Sequence, residues 1–168
     1  MSSKQYLGID ASPLRIGAAL ITANGSEFVL EWHETITLDD EKWITPADRA
    51  DAFEDLQERR DMFRPDMIGM EAVFVGANRL GAVRAAMALG QIESICDYLW
   101  PDAKQKILTA TQWRRLCGIQ QGGKAPVMQW SSGVTKDHNM DAPEMQDAAD
   151  AIAIAYATWK WDIENATE

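Results

Sequence analysis

Two aspartates, Asp147 and Asp150, stand three residues apart in the run DAADAIAIAYA (147–157), which is otherwise Ala, Ile and Tyr. Ionised carboxylates are rarely buried unless they are paired or hold a metal. On a helix this spacing places them about 60° apart on one face, where like charges repel. No lysine or arginine lies one turn away to compensate. Two further acids close apolar strands: Asp10 ends YLGID and Glu71 ends MIGME. An acid at a strand end often points from the sheet into a site. Taken singly, each has an ordinary explanation: a solvated helix face for the pair, a turn cap for each strand-end acid. Taken together, they make a hard oxygen cluster of the kind that binds Mg²⁺, and two such ions about 4 Å apart support phosphodiester hydrolysis.

The elements that must position these acids follow from pattern. Strands are expected at 5–11, 15–22 and 27–36, joined by turns at Ser12-Pro13 and ANGS (23–26), as an antiparallel meander. Thr45-Pro46, with Asp48 at capping-box spacing, opens a helix whose face is Ala50, Phe53, Leu56 and Phe63, ended by Pro65. A strand at 66–73 precedes a long helix at 79–100, with Leu80, Val83, Met87, Ile92, Ile95 and Leu99 as its apolar stripe. A strand at 104–110, a short helix at 111–118 and a helix at 125–134 follow. Asp141, Pro143 and Glu144 start the last helix, 142–162, so Asp147 and Asp150 are expected beyond its first turn, where the dipole contributes little. The order predicts an α/β protein: a mixed sheet, with the three-strand meander and later parallel strands, flanked by helices.

A length of 168 residues suits one domain, with 46% hydrophobic and 25% charged residues as in an ordinary globular protein. The first residues lack a signal-peptide pattern, no uncharged stretch reaches membrane-spanning length, and Cys96 and Cys117 form no CxxC pair. These features point to the cytoplasm and away from a membrane. The net charge of −10 argues against nucleic acid as a partner of the protein taken whole. Its distribution does not: residues 1–72 carry −8, residues 73–136 carry +5 and residues 137–168 carry −7. A basic middle segment steers an anion even on an acidic protein, although chance clustering gives the same count.

GIQQGGK (118–124) fits most of a phosphate-binding loop, but Ala125 stands where a Ser or Thr should hold Mg²⁺, and the preceding segment reads as helix, not strand. An ATPase is therefore disfavoured. His33 and His138 are read as ordinary strand and loop residues. The seven tryptophans are mostly core or interface anchors, with Trp113 and Trp130 as candidates for DNA contact because they flank the basic loop.

The ordered set YLGIDAS, MEAVFVGAN, GIQQGGKAPVMQ and DAADAIAIA, spanning about residues 5–157, resembles the RuvC-type Holliday junction resolvases, whose fold is ribonuclease H-like. The resemblance implies a single nuclease domain over 1–168 and a homodimer that grips a four-way DNA junction. It implies metal-assisted nicking that leaves 5′-phosphate and 3′-hydroxyl ends. Asp10, Glu71, Asp147 and Asp150 would be the catalytic acids and the ligands of two Mg²⁺ ions, with Mn²⁺ as a substitute. Lys124 would stabilise charge on the scissile phosphate, or is simply an exposed loop lysine. Phe74 would stack on an unpaired base, or is a core aromatic. With Asn78, Arg79, Arg84, Arg114, Arg115 and Lys124 it forms the expected DNA-contacting set. The family's Pro-Gly after the first aspartate is here Ala11-Ser12, and its basic residue before the glycine-rich loop has its nearest counterparts in Arg114 and Arg115. A broader branched-DNA nuclease and a non-catalytic junction-binding protein share the same fold and remain as rivals; all four acids are present, which counts against the second.

Overall fold

A computed structural model of the chain describes residues 3–12, 15–37, 54–59, 62–74, 78–136 and 145–166. Five strands form one sheet: β1 (Lys4–Ala11), β2 (Arg15–Asn24), β3 (Glu27–Thr37), β4 (Met67–Glu71) and β5 (Lys104–Leu108). Their order is β3-β2-β1-β4-β5. The β1–β2 and β2–β3 pairs are antiparallel, and β1–β4 and β4–β5 are parallel. The mixed sheet read from the sequence is therefore the one that forms. The first hairpin closes at Ser12, whose N–H donates to Arg15 O (2.9 Å) and whose Oγ accepts from Arg15 N (3.0 Å).

Among the described residues, five helices flank the sheet: α1 (Glu54–Arg59), α2 (Arg79–Leu99), α3 (Ala110–Cys117), α4 (Ala125–Thr135) and α5 (Gln146–Asn165). The predicted start of the helix before Pro65, at Thr45-Pro46 with Asp48, Ala50 and Phe53, lies outside the described residues, as do His138 and the expected α5 start at Asp141, Pro143 and Glu144. Within the described residues α5 begins at Gln146, so Asp147 sits in its first turn rather than beyond it. The helix dipole thus favours the Asp147 carboxylate directly. Among the described residues, no helix is long and apolar enough to cross a membrane.

Strand alternation sorts the core into two layers. Leu7, Ile9, Ile16, Ala18, Leu20, Ile68 and Met70 face α2 with Leu89, Ile92, Cys96 and Leu99. Tyr6, Ile21, Ala23 and Met67 face α5 with Ala155 and Trp159. The expected stripe on α2 splits. Ile92 and Leu99 are buried, whereas Leu80, Val83 and Met87 are 63%, 55% and 55% exposed. At 100° per residue, Val83 lies about half a turn from Ile92, so one stripe was in fact two opposite faces.

On the α5 side, three glycines replace side chains where the helix meets the sheet. A Cβ on Gly8 would run into the backbone of Ala151 and Ala155, one on Gly17 into the carbonyl of Asp147, and one on Gly69 into Thr158 and Ile154. The matching helix residues Ala148, Ala149, Ala151, Ala153, Ala155 and Ala157 are all buried. Gly8 and Gly69 sit side by side in the sheet, and Gly17 lies opposite Asp10, diagonal to Gly8. Backbone obstructs the missing Cβ at Gly8, and backbone cannot swing aside. Gly8→Ala should therefore lose about 3 kcal/mol or more in urea unfolding, at the upper end of overpacking costs. Gly133→Ala, in an exposed stretch of α4 where a Cβ meets nothing within 4 Å, should gain roughly 0.5–1 kcal/mol from helix propensity.

Candidate active site

Asp10 and Glu71 lie at the carboxyl ends of adjacent parallel strands, one register step beyond the Ile9–Met70 pair. Both share the strand parity of Gly8 and Gly69, the glycines that face α5, so both carboxylates project toward that helix. Helix α5 is pressed onto the sheet at Gly17, Asp10's cross-strand partner, and so brings Asp147 and Asp150 over the same strand ends. The charges of the other three acids all reach Asp10. Burial raises the Asp10 carboxyl to about 8, and the charges of Asp150, Glu71 and Asp147 push in the same direction, opposed by Lys124. Burial and the neighbouring Glu71 raise Asp150 to about 6, with Arg114 and a hydrogen bond from Gln146 opposing. Glu71 is also raised by burial, against a hydrogen bond from Trp113 and the charge of Arg114.

Among the described residues, no three acid, cysteine or histidine side chains are already drawn together closely enough to hold a metal. Mutual repulsion keeps carboxylates apart until a cation lies between them. The donor set nonetheless fits a hard divalent ion: carboxylate oxygens at one end of a sheet, open to solvent on one side. Asp147 Oδ2 is buried and has no hydrogen-bond partner among the described residues. Arg15 Nε lies 3.1 Å from it as an ion pair, without hydrogen-bond alignment. This is the compensating cation that the helix itself does not supply. It comes from the start of β2, far away in sequence, which is why helical spacing could not reveal it.

A cleft of about 430 Å³ opens beside the acids, with Asp10, Glu71, Phe74 and Asn78 on its wall. Phe74 is 84% exposed, which removes the core-aromatic alternative. Asn78 caps α2, its Oδ1 accepting from Gly81 N (3.0 Å). Arg79 and Arg84 are exposed on α2. Arg115 is exposed on α3, 3.8 Å from Glu164. Lys124 is exposed at the head of α4, and its charge reaches Asp10. The helix α3 before its loop also disposes of the ATPase reading, which requires a strand there.

The two tryptophans considered for DNA contact are placed differently. Trp113 is buried, and its Nε1 donates to Glu71 Oε2 at 2.7 Å. Trp130 packs edge-on against Tyr156 with ring centroids 5.0 Å apart. An amphipathic ring beside an apolar core satisfies its surface there, and the indole N–H of Trp113 finds an acceptor. Arg114, expected on DNA, turns Nη1 toward Gln121 O and Gly123 O in its own loop.

The family model for crossover junction endodeoxyribonuclease RuvC matches residues 6–158. The chain belongs to the RuvC family. The crossover junction endodeoxyribonuclease RuvC of Bifidobacterium animalis subsp. lactis is 28% identical over 152 residues, covering 89% of this chain and 76% of that protein. Thermus thermophilus RuvC in complex with a Holliday junction substrate superposes with a TM-score of 0.76 at 17% identity, covering 96% of each chain. The fowlpox virus Holliday junction resolvase gives 0.55 at 12% identity, covering 96% of this chain and 99% of that one. These likenesses establish the ribonuclease H-like fold of the RuvC family.

The raised carboxyls set the sign of a pH effect. Asp10 and Asp150 bind protons more tightly folded than unfolded, so their contribution to stability is complete below about pH 4 and is lost as pH rises through about 6 and 8. Metal-free protein should therefore melt roughly 4–8 °C lower at the upper end of that range than at the lower end, equivalent to ~2 kcal/mol for a domain of this size. Millimolar MgCl₂ should raise the Tm most at the alkaline end, as read by scanning calorimetry. A Tm that is flat with pH and indifferent to Mg²⁺ would contradict a shared acid site.

Proposed function

We propose that this chain is a Holliday junction resolvase. It nicks four-way DNA junctions by phosphodiester hydrolysis, leaving 5′-phosphate and 3′-hydroxyl ends, and residues 1–168 act as one nuclease domain. What supports this reading is that Asp10 and Glu71 stand at adjacent parallel strand ends, with the charges of Asp147 and Asp150 of α5 reaching Asp10, in a chain of the RuvC family.

In this reading the four acids hold Mg²⁺, two ions in all, with Mn²⁺ as a substitute. When bound, Mg²⁺ would supply the Lewis acidity for activating a water and stabilising the leaving oxygen. The protein's own groups do the rest. Glu71 and Asp10 fix one side of the ion site from the rigid sheet, and Asp147 and Asp150 fix the other from α5. Lys124 stabilises charge on the scissile phosphate, and its reach to Asp10 supports that role. Phe74 stacks on a base unpaired at the crossover, which its exposure at the cleft mouth supports. Asn78, Arg79, Arg84 and Arg115 guide the backbone of the arms through phosphate contacts, while Arg114 acts close to the acids. A homodimer presents two such sites to the two strands that must be cut. The exposed Leu80, Val83 and Met87 on one face of α2 are its interface.

The test uses a labelled four-way junction, a three-way fork and a linear duplex, each with and without Mg²⁺. Symmetric nicking of the four-way junction alone is expected. Cutting of every branched form would instead make the protein a general branch-cutting nuclease, and binding without cutting would make it a junction-binding protein. Asp147→Asn should retain the fold and junction affinity yet slow nicking more than about 100-fold, since even groups behind a metal ligand are worth that much. Raised salt should weaken junction binding steeply through lost Lys and Arg contacts to phosphate, in filter-binding titrations. Met87→Glu should convert a dimer to a monomer by analytical ultracentrifugation.

A further inference from the structure

Trp113 and Arg114 are neighbours on α3; Trp113 reaches Glu71, and Arg114 reaches the loop before α4. The Trp113 ring is buried among Leu108, Cys117, Val127 and Ile154, so its orientation is fixed by packing. From there Nε1 donates a 2.7 Å hydrogen bond to Glu71 Oε2. An indole N–H only donates, so it holds one oxygen of the carboxylate and leaves the other free to face the cleft. Arg114 lays its guanidinium carbon 4.7 Å from the centre of the Trp113 ring. Its Nη1 donates to Gln121 O (3.1 Å) and Gly123 O (3.0 Å). Those carbonyls belong to the irregular loop between α3 and α4, and Lys124 follows directly. Gly123 has φ 94°, a conformation that other residues rarely adopt, and the two carbonyl contacts from Arg114 tie this stretch of loop to α3. The charge of Arg114 also favours ionised Glu71 and Asp150.

We infer that Trp113 and Arg114 are positioning residues: Trp113 sets the Glu71 carboxylate for the divalent cation, and Arg114 pins the loop that sets Lys124 against Asp10. Neither touches the reacting phosphate. The assignment rests on the nuclease reading above, and it predicts separable defects. Trp113 acts on metal affinity, because it orients a proposed ligand from behind. Arg114 acts on the rate at saturating metal, because a lysine in its place keeps the charge but has neither the reach nor the planar fork to tie both carbonyls.

The experiment compares wild type, Trp113→Phe and Arg114→Lys in two measurements. The first is Mg²⁺ binding to DNA-free protein by calorimetry. The second is single-turnover nicking of a four-way junction across Mg²⁺ concentrations. Trp113→Phe should weaken Mg²⁺ binding by roughly 10–100-fold, with nicking restored as Mg²⁺ is raised. Arg114→Lys should hold wild-type Mg²⁺ affinity within about twofold and nick roughly 10–100-fold slower even at saturating Mg²⁺. A ¹H–¹⁵N spectrum gives a readout independent of activity. Of the seven indole N–H peaks, the one missing from Trp113→Phe should move when Mg²⁺ is added to wild type, and should not move in Glu71→Gln. Variants matching wild type in affinity and saturated rate, with an indole peak that ignores Mg²⁺, would overturn the assignment alone. A wild type that neither binds Mg²⁺ nor nicks would overturn it together with the reading it rests on.

Discussion

Close contact between α5 and the sheet is the constraint on which the rest of the structure depends. At Gly8, Gly17 and Gly69 no side chain separates helix from strand, and the helix answers with a run of buried alanines. Small residues on both surfaces bring the two backbones together at well below the usual spacing of a helix on a sheet. The contact is continuous, since α5 touches all five strands. Its ends are tied as well. Tyr6 Oη and Lys4 Nζ both donate to Asp162 Oδ2 at 2.8 Å near one end, and Arg15 pairs with Asp147 at the other. A helix held this tightly carries its acids to fixed points over the strand ends, which is what a site built from two separate elements requires.

This packing also accounts for a site that would not assemble for stability's sake. Four carboxylates gathered at one sheet end repel one another and lose hydration. That cost raises the Asp10 and Asp150 carboxyls, and it is offset by the apolar layers around them. Cationic and hydrogen-bonding groups limit it further, each from a different element: Arg15 from β2, Trp113 and Arg114 from α3, and Lys124 from the loop before α4. Such groups leave the acids ready for a cation without replacing it.

Much of this could be read from the chain alone, because the signals were local. Alternating apolar residues and short turns mark the meander, and the strands and helices from β4 to α4 appear within a few residues of their expected bounds. The four acids stood out because charge in an apolar run is costly wherever the run folds. What escaped the sequence was non-local. Arg15 is distant from Asp147 in the chain and meets it only through the β1–β2 hairpin. Gly8, Gly17 and Gly69 looked like ordinary strand residues until the register set them together under α5. Flanking the basic loop made Trp113 a candidate for DNA contact, whereas its ring is buried. The α2 stripe was drawn as one face because apolar residues on opposite sides of a long helix also recur at short intervals. Within the described residues Asp147 falls in the first turn of α5, where the dipole acts on it.

The central claim is that strands and helix together make one cation site from Asp10, Glu71, Asp147 and Asp150. Crystals grown with Mn²⁺ and measured for anomalous scattering test it without relying on activity or on DNA. Density peaks are expected within coordination distance of these four side chains, between the ends of β1 and β4 and the first turns of α5. A map with no peak there, or with Mn²⁺ bound only elsewhere on this acidic protein, would contradict it.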